Sequence, residues 1–408
     1  MLCRYENRLS GQALQMDGFL RRIAAHTADE LPAAFSRIED AQAQGRWIAL
    51  LLDYELGEWL EPAFSGSAAT AMRQSPPAAA PASGRPRLTA LVFESAQTVP
   101  VWSAPKSQDD VCLHATPLID RSRYLENVAR LRSGIGRGEL YQANYTFPIA
   151  VESAVAPRDL YRHIAARHPA AHGAYIEDGP RSILSFSPEL FVSRQGARLT
   201  VRPMKGTAPR HADPALDRQA AQELLRSEKN RAENLMIVDL LRNDLGRVAT
   251  PGSVQVTDMF TLERYPSVWT LTSTVTAEAP QARLEVLLRA LFPCGSITGA
   301  PKIAAMDGIR KLETSERGIY CGSVGWLAPN GDCSLNVAIR TIEMKDGRNG
   351  IFGVGGGIVH DSVAELEWEE CLWKARILDT GFASAPDRAD VFSNSRQTRH
   401  GLEEYSVD

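Results

Sequence analysis

The sequence predicts an α+β protein with a mainly antiparallel sheet, and two patterns carry that prediction. Residues 318–327, 334–344 and 350–359 are strand-like and are separated by Pro329-Asn330-Gly331-Asp332 and Lys345-Asp346-Gly347. Asn-Gly and Asp-Gly pairs supply the left-handed backbone that a tight reversal between antiparallel strands needs. Residues 217–244, by contrast, read as one long helical stretch. Hairpins and long helices in one chain point to an α+β layer architecture. With 408 residues, 44% of them hydrophobic and 23% charged, the chain can bury a sizeable core, as one large domain or two ordinary ones.

From the N-terminus, residues 1–64 mix helical and strand patterns, and Trp47–Leu52 is a short apolar run expected as a buried strand. Residues 65–86 are rich in Ala, Pro, Ser and Gly without periodicity, which predicts a flexible surface loop. A strand resumes at 88–95. Over 124–139, Leu125, Val128, Leu131 and Ile135 share one helical face, and Gly136 and Gly138 end it. Strands follow at 141–147, 182–186 and 199–201. In the long helical stretch, 235–241 is apolar almost all round, which predicts deep burial. A strand at 268–277, a helix at 281–292 and a last helix at 362–379 complete the pattern. The expected organisation is an N-terminal region 1–110, a main region 111–382 and a polar, disordered tail 383–408. No internal repeat is present.

The formal net charge of −4 and pI of about 6.1 argue against nucleic acid or an anionic membrane as the main partner. Six cysteines are scattered without a Cys-x-x-Cys pair, so neither a disulfide framework nor a zinc ribbon is indicated. The N-terminal Met1-Leu2-Cys3-Arg4-Tyr5-Glu6 carries no leader pattern, and no apolar run is long enough to span a bilayer. A reducing, cytoplasmic setting is the expectation.

Several segments could carry chemistry. Glu367, Glu370 and Lys374 recur at i, i+3 and i+7 and share a helical face. A solvated face with one ion pair meets that spacing as well. Just upstream, Gly353-Val354-Gly355-Gly356-Gly357-Ile358 would let backbone N–H groups approach a carboxylate closely. It is not a dinucleotide fingerprint, because Ile358 stands where the third glycine would be. Glu233 opens an apolar helical segment, either as a surface acid or, with Glu370, as a ligand for a hard cation such as magnesium. Arg340 is either a rim charge or a bidentate carboxylate clamp. Gly295-Ser296-Ile297-Thr298-Gly299-Ala300-Pro301-Lys302 lacks the ending of a phosphate-binding loop.

Taken together in order, these segments resemble a known family. The carriers are Glu139-Leu140-Tyr141-Gln142-Ala143-Asn144, Ser187-Pro188-Glu189, Arg202-Pro203-Met204-Lys205-Gly206-Thr207, residues 231–248, residues 292–302, Ala338-Ile339-Arg340-Thr341 and residues 355–374. They resemble the chorismate-binding enzymes, which include the anthranilate, aminodeoxychorismate, isochorismate and salicylate synthases. The resemblance implies a large β-sandwich flanked by helices, the anthranilate synthase component I-like fold, with 111–382 as the catalytic region. It implies chorismate as substrate and Mg2+ as cofactor.

Within the family, the isochorismate and salicylate synthases carry a lysine base where this chain has Gln142. Glutamine takes no proton near neutral pH, so water addition is disfavoured. Anthranilate synthases usually carry Ala where this chain has Lys205, whereas aminodeoxychorismate synthases are similar to this chain there. The resemblance then implies Lys205 as nucleophile and Glu189 as general acid. It implies Glu233 and Glu370 on the metal, and Gly206, Thr207, Arg340, Gly355, Gly356, Gly357, Lys374, Gln142 and Thr298 about the substrate. Ammonia would come from a separate glutamine amidotransferase subunit, because no glutaminase motif is present. In some relatives the N-terminal part binds tryptophan; here that stays open. Trp326 stands where relatives often have Tyr, and Thr270 where many have His. Anthranilate synthesis is the second reading, and a non-catalytic binding subunit the third.

Overall fold

The computed structural model describes residues 1–61, 84–105, 113–265 and 268–379. The tail expected from 383, and the expected loop at 65–86 apart from its last three residues, lie outside them. Arg85, at the end of that loop, is fixed by ion pairs to Asp53 and to Glu343.

The first hundred residues contribute β1 (Cys3–Asn7), β2 (Gln12–Ala25), α1 (Leu31–Ala43), β3 (Trp47–Leu52), α2 (Leu56–Leu60) and β4 (Leu88–Pro100). There follow β5 (Leu113–Pro117), α3 (Arg121–Gly136), β6 (Gln142–Ser153), α4 (Pro157–Arg167), β7 (His172–Asp178), β8 (Arg181–Ser187), β9 (Leu190–Gln195), β10 (Arg198–Arg202) and β11 (Met204–Pro209). Two helices, α5 (Pro214–Arg226) and α6 (Glu228–Gly246), lead to β12 (Gln255–Arg264), β13 (Val268–Glu278) and α7 (Leu284–Leu291). The last third holds β14 (Gly299–Ala300), α8 (Lys302–Leu312), β15 (Ser323–Leu327), β16 (Cys333–Val337), β17 (Thr341–Met344), β18 (Asn349–Ile358) and α9 (Ala364–Lys374).

Every strand pairing among the described residues is antiparallel. Strand alternation explains how the layers form. In β3, Ile48, Leu50 and Leu52 pack with α1, α6 and α7, whereas Ala49 and Leu51 face a second core built almost wholly from strands. Tyr175 of β7 packs with α3, α4 and α9, whereas Ala174 and Ile176 face that same strand-lined core. Helices therefore cover two outer faces of a sandwich whose middle is sheet on sheet. The expected boundary near 110 is crossed by hydrogen bonds, since β1 pairs with β7 and β3 with β15.

Three expectations need correction. The stretch 217–244 is two helices: Ser227 ends α5 in extended backbone and caps α6, its hydroxyl accepting from the Asn230 N–H at 3.3 Å. The apolar half of α6 is one-sided, with Ile237, Val238 and Leu241 buried but Leu235 45% exposed. The strand expected over 334–344 breaks between β16 and β17, where Arg340 adopts a left-handed φ of 49°.

Candidate active site

The site grows from the open edge of β18. This strand pairs with β6 along its whole length, but with β17 only at Gly350, Ile351 and Phe352. On β6, the Asn144 N–H donates to the Thr298 carbonyl at 2.9 Å and the Thr146 N–H to the Glu313 carboxylate at 2.9 Å. Both groups thus point away from β18. Their partners, Gly357 and Gly355, therefore stand in non-hydrogen-bonded pairs, with N–H and C=O turned from β6. The Lys374 ammonium donates to the Gly355 carbonyl at 2.8 Å. Of the three glycines expected to offer N–H groups, 355 and 357 do so, while Gly356 is directed to the β6 ladder.

That edge opens on a cavity of about 370 Å³, within the range of small-molecule sites. Beside β18 it is walled by Lys205, Gly206 and Thr207 of β11, by Lys229, Asn230 and Glu233 at the start of α6, and by Glu367, Glu370, Trp373 and Lys374 of α9. Glu189, Ser296, Tyr320 and Arg340 complete it.

Glu189 follows β8 and is 3% exposed. Burial pushes its carboxyl up to about 7, against the Ser296 hydroxyl, which donates to it at 2.7 Å, and the nearby Lys205. Burial acts oppositely on Lys205 and lowers its ammonium pKa, against the attraction of Glu233 and Glu189 and with help from Lys374. Gly206 next to it has φ 87°, and a Cβ there would lie 3.1 Å from Asn230. Thr270 secures this strand, its hydroxyl donating to the Gly206 carbonyl at 3.0 Å.

Arg340 lies at the strand break and lines the cavity, and no carboxylate among the described residues pairs with it. Burial lowers its pKa, with Tyr265 opposing. Left-handed backbone is costly for a side chain of this size. Glu370 pairs with Lys374 at 2.7 Å; burial pushes its carboxyl up, but Lys374, with Lys205 and Lys229, brings its pKa below the ordinary value.

Two expected residues stand back from the cavity. Thr298 is fully buried and its hydroxyl donates to the Cys294 carbonyl at 2.9 Å. Gln142 lies beneath Gly357, whose Cβ would fall 2.5 Å from the Gln142 Nε2 and 3.6 Å from the Lys205 Nζ. Among the described residues neither polar atom of its buried amide finds a hydrogen-bond partner. Trp326 is elsewhere, packed on Trp47 with ring centroids 5.8 Å apart, in the wall of a different cavity beside β1 and β2.

Sequence reasoning missed Tyr320, quoted Ser296 only within the segment Gly295–Lys302, and noted Glu367 for the helical face it shares with Glu370 and Lys374 without giving it a role. Among the described residues no three His, Cys, Asp or Glu side chains converge as a metal-holding group. Glu233 and Glu370 nonetheless border one cavity, and carboxylate oxygens are the donors magnesium prefers; it commonly takes one or two of them and completes its shell with water and substrate. The donor set fits.

The sequence pattern of the chorismate binding enzymes matches residues 25–379. The chain belongs to this family. Over 260 residues it is 42% identical to aminodeoxychorismate synthase component 1 of Salmonella typhimurium, which covers 63% of this chain and 57% of that protein. Over 272 residues it is 39% identical to anthranilate synthase component 1 of Streptomyces coelicolor, covering 66% and 53%. The chain thus spans little more than half the length of either relative. Among solved structures, anthranilate synthase component I from Streptococcus pneumoniae superposes with a TM-score of 0.77 at 25% identity, over 92% of both chains. The anthranilate synthase-like fold expected for a chorismate-binding enzyme is the fold observed. No helix among the described residues is long and apolar enough to cross a membrane.

Proposed function

We propose that this enzyme aminates chorismate at ring carbon 4, giving 4-amino-4-deoxychorismate for p-aminobenzoate and folate synthesis. The observation that carries this reading is the Lys205 amine, lowered in basicity and bordering the same cavity as a buried carboxyl held near 7.

Chorismate has two carboxylates and a ring hydroxyl that must leave. Arg340 suits one carboxylate, as a guanidinium with no carboxylate partner among the described residues and a planar fork of donors. The N–H groups of Gly355 and Gly357 suit close approach by the substrate. Lys205, as the neutral amine, adds through Nζ to ring carbon 2, both ring double bonds shift, and the hydroxyl at carbon 4 leaves as water with the proton of Glu189. Ammonia then adds at carbon 4 and gives a proton back to the Glu189 carboxylate, the two double bonds shift back, and the Lys205 amine is expelled. A magnesium ion held by Glu233 and Glu370 would neutralise and position a substrate carboxylate. The ammonia is supplied by a glutamine amidotransferase subunit.

The second reading, anthranilate synthesis, is favoured by the near-equal identity to anthranilate synthases. It leaves Lys205 without a task. Incubation with chorismate, magnesium and an ammonium salt decides between them. The expected product is 4-amino-4-deoxychorismate, absent when magnesium is omitted; anthranilate with pyruvate would sink the proposal.

A further inference from the structure

Strand β11 is irregular at the residue on which the proposed chemistry depends. Against β13, Met204 stands opposite Thr272 and Thr207 opposite Thr270, so Lys205 and Gly206 together face Leu271 alone. One extra residue in one strand of a pair is a β-bulge, which bends that strand and re-aims its side chains. Its effect shows in the cavity wall. Met204, Lys205, Gly206 and Thr207 all line it, whereas a flat strand turns successive residues to opposite faces.

A bulge takes backbone groups out of the ladder, and those groups need other partners. Two elements supply them. From α6, Asn230 closes on Gly206, where a Cβ would lie 3.1 Å from the Asn230 side chain and where the φ of 87° favours glycine. Asn234, one turn further on, reaches the Leu271 carbonyl at 3.5 Å, and the Ser273 hydroxyl donates to its amide oxygen at 2.6 Å. From β13, the Thr270 hydroxyl donates to the Gly206 carbonyl at 3.0 Å. Thr270 is fully buried, and deleting its hydroxyl would leave that acceptor without its donor. The Lys205 amine ends a flexible four-carbon stem, so the backbone at the bulge sets where it starts.

We propose that Thr270 is a positioning residue: through the Gly206 carbonyl it holds the bulge that aims the Lys205 amine at the substrate. Thr270 is not among the described residues that line the cavity, so its effect on the chemistry passes through that carbonyl. The inference rests on Lys205 as the nucleophile and adds the device that directs it.

Thr270→Val removes the hydroxyl and keeps the branched shape, while Thr270→Ser keeps the hydroxyl. With chorismate, magnesium and saturating ammonium chloride, the valine variant is expected to lose about tenfold in kcat with the KM for chorismate unchanged, and the serine variant to stay within about twofold of the parent chain. A second measurement needs no turnover. Formaldehyde with cyanoborohydride methylates accessible amines, and peptide mapping reads Lys205. Chorismate should protect Lys205 in the parent chain and in Thr270→Ser, and about threefold less in Thr270→Val, whose amine is no longer held against the substrate. Thr270→Ala, which needs no more room than threonine, repeats both measurements. An unchanged kcat, unchanged protection, a loss carried by KM alone, or a serine variant as impaired as the valine one each overturns the proposal. Anthranilate from the parent chain overturns the amination reading, and the protection of Lys205 still decides what aims its side chain.

Discussion

Burial tunes Glu189 and Lys205 in opposite directions, toward the uncharged form of each. The carboxyl keeps a proton to give, and the amine holds less tightly the proton that would block attack. With Glu189 near 7, its acid form dominates below that pH and is lost above it. The value of kcat/KM for chorismate should therefore fall as pH rises through about 7. Glu189→Gln should lose on the order of 10²–10⁴ in rate and erase that alkaline limb. A variant that kept the limb would assign it to another group. Spacing offered Glu233, Arg340, Glu370 and Lys374 only as candidates with surface alternatives, and Lys205 and Glu189 entered through the family resemblance of their segments. Tyr320 left no such trace: its place depends on a glycine thirty-three positions away, which no local pattern encodes.

Secondary elements were legible where one physical cause ruled. The run Trp47–Leu52 is apolar because both faces are buried, and its bounds are those expected. The pair α5 and α6 was not legible as two helices, because both halves favour helix and the break rests on Ser227 alone. That break aims the first turn of α6, with Lys229, Asn230 and Glu233, into the cavity. Removing the cap with Ser227→Ala should cost about 1 kcal/mol in chemical denaturation. An unchanged midpoint would show that the turn is set by packing instead. The bend at Arg340 was hidden for a related reason: its residues read as continuous strand, yet Arg340 takes left-handed backbone where it lines the cavity.

Across the whole molecule, a buried knot joins the N-terminal strands to the catalytic walls. Glu55 accepts from the backbone N–H groups of Arg317 and Gly318 at 2.7 and 3.1 Å. The Arg317 side chain in turn binds Glu313 and donates to the carbonyls of Ile297, at 3.1 Å, and Asn144. Deleting one partner of such a pair strands a charge in the interior. Glu313→Ala should therefore lower stability by about 3–5 kcal/mol, read as a shift in the unfolding midpoint. A loss below about 1 kcal/mol would mean that solvent reaches Arg317. The antiparallel class was legible from turn chemistry alone. How the strands of the first hundred residues pair with β7 and β15 was not, since those contacts join residues more than 150 positions apart.

An amine whose proton is held weakly is a target as well as a tool. Ordinary surface lysines stay protonated at neutral pH and react slowly with carbonyl compounds. Lys205 should condense first with a small aldehyde, and chorismate should shield it; borohydride trapping and peptide mapping would locate the adduct. Equal labelling of surface lysines would mean that Lys205 keeps its proton. The side chain proposed as this cavity's nucleophile is thereby the one through which a small electrophile would silence it.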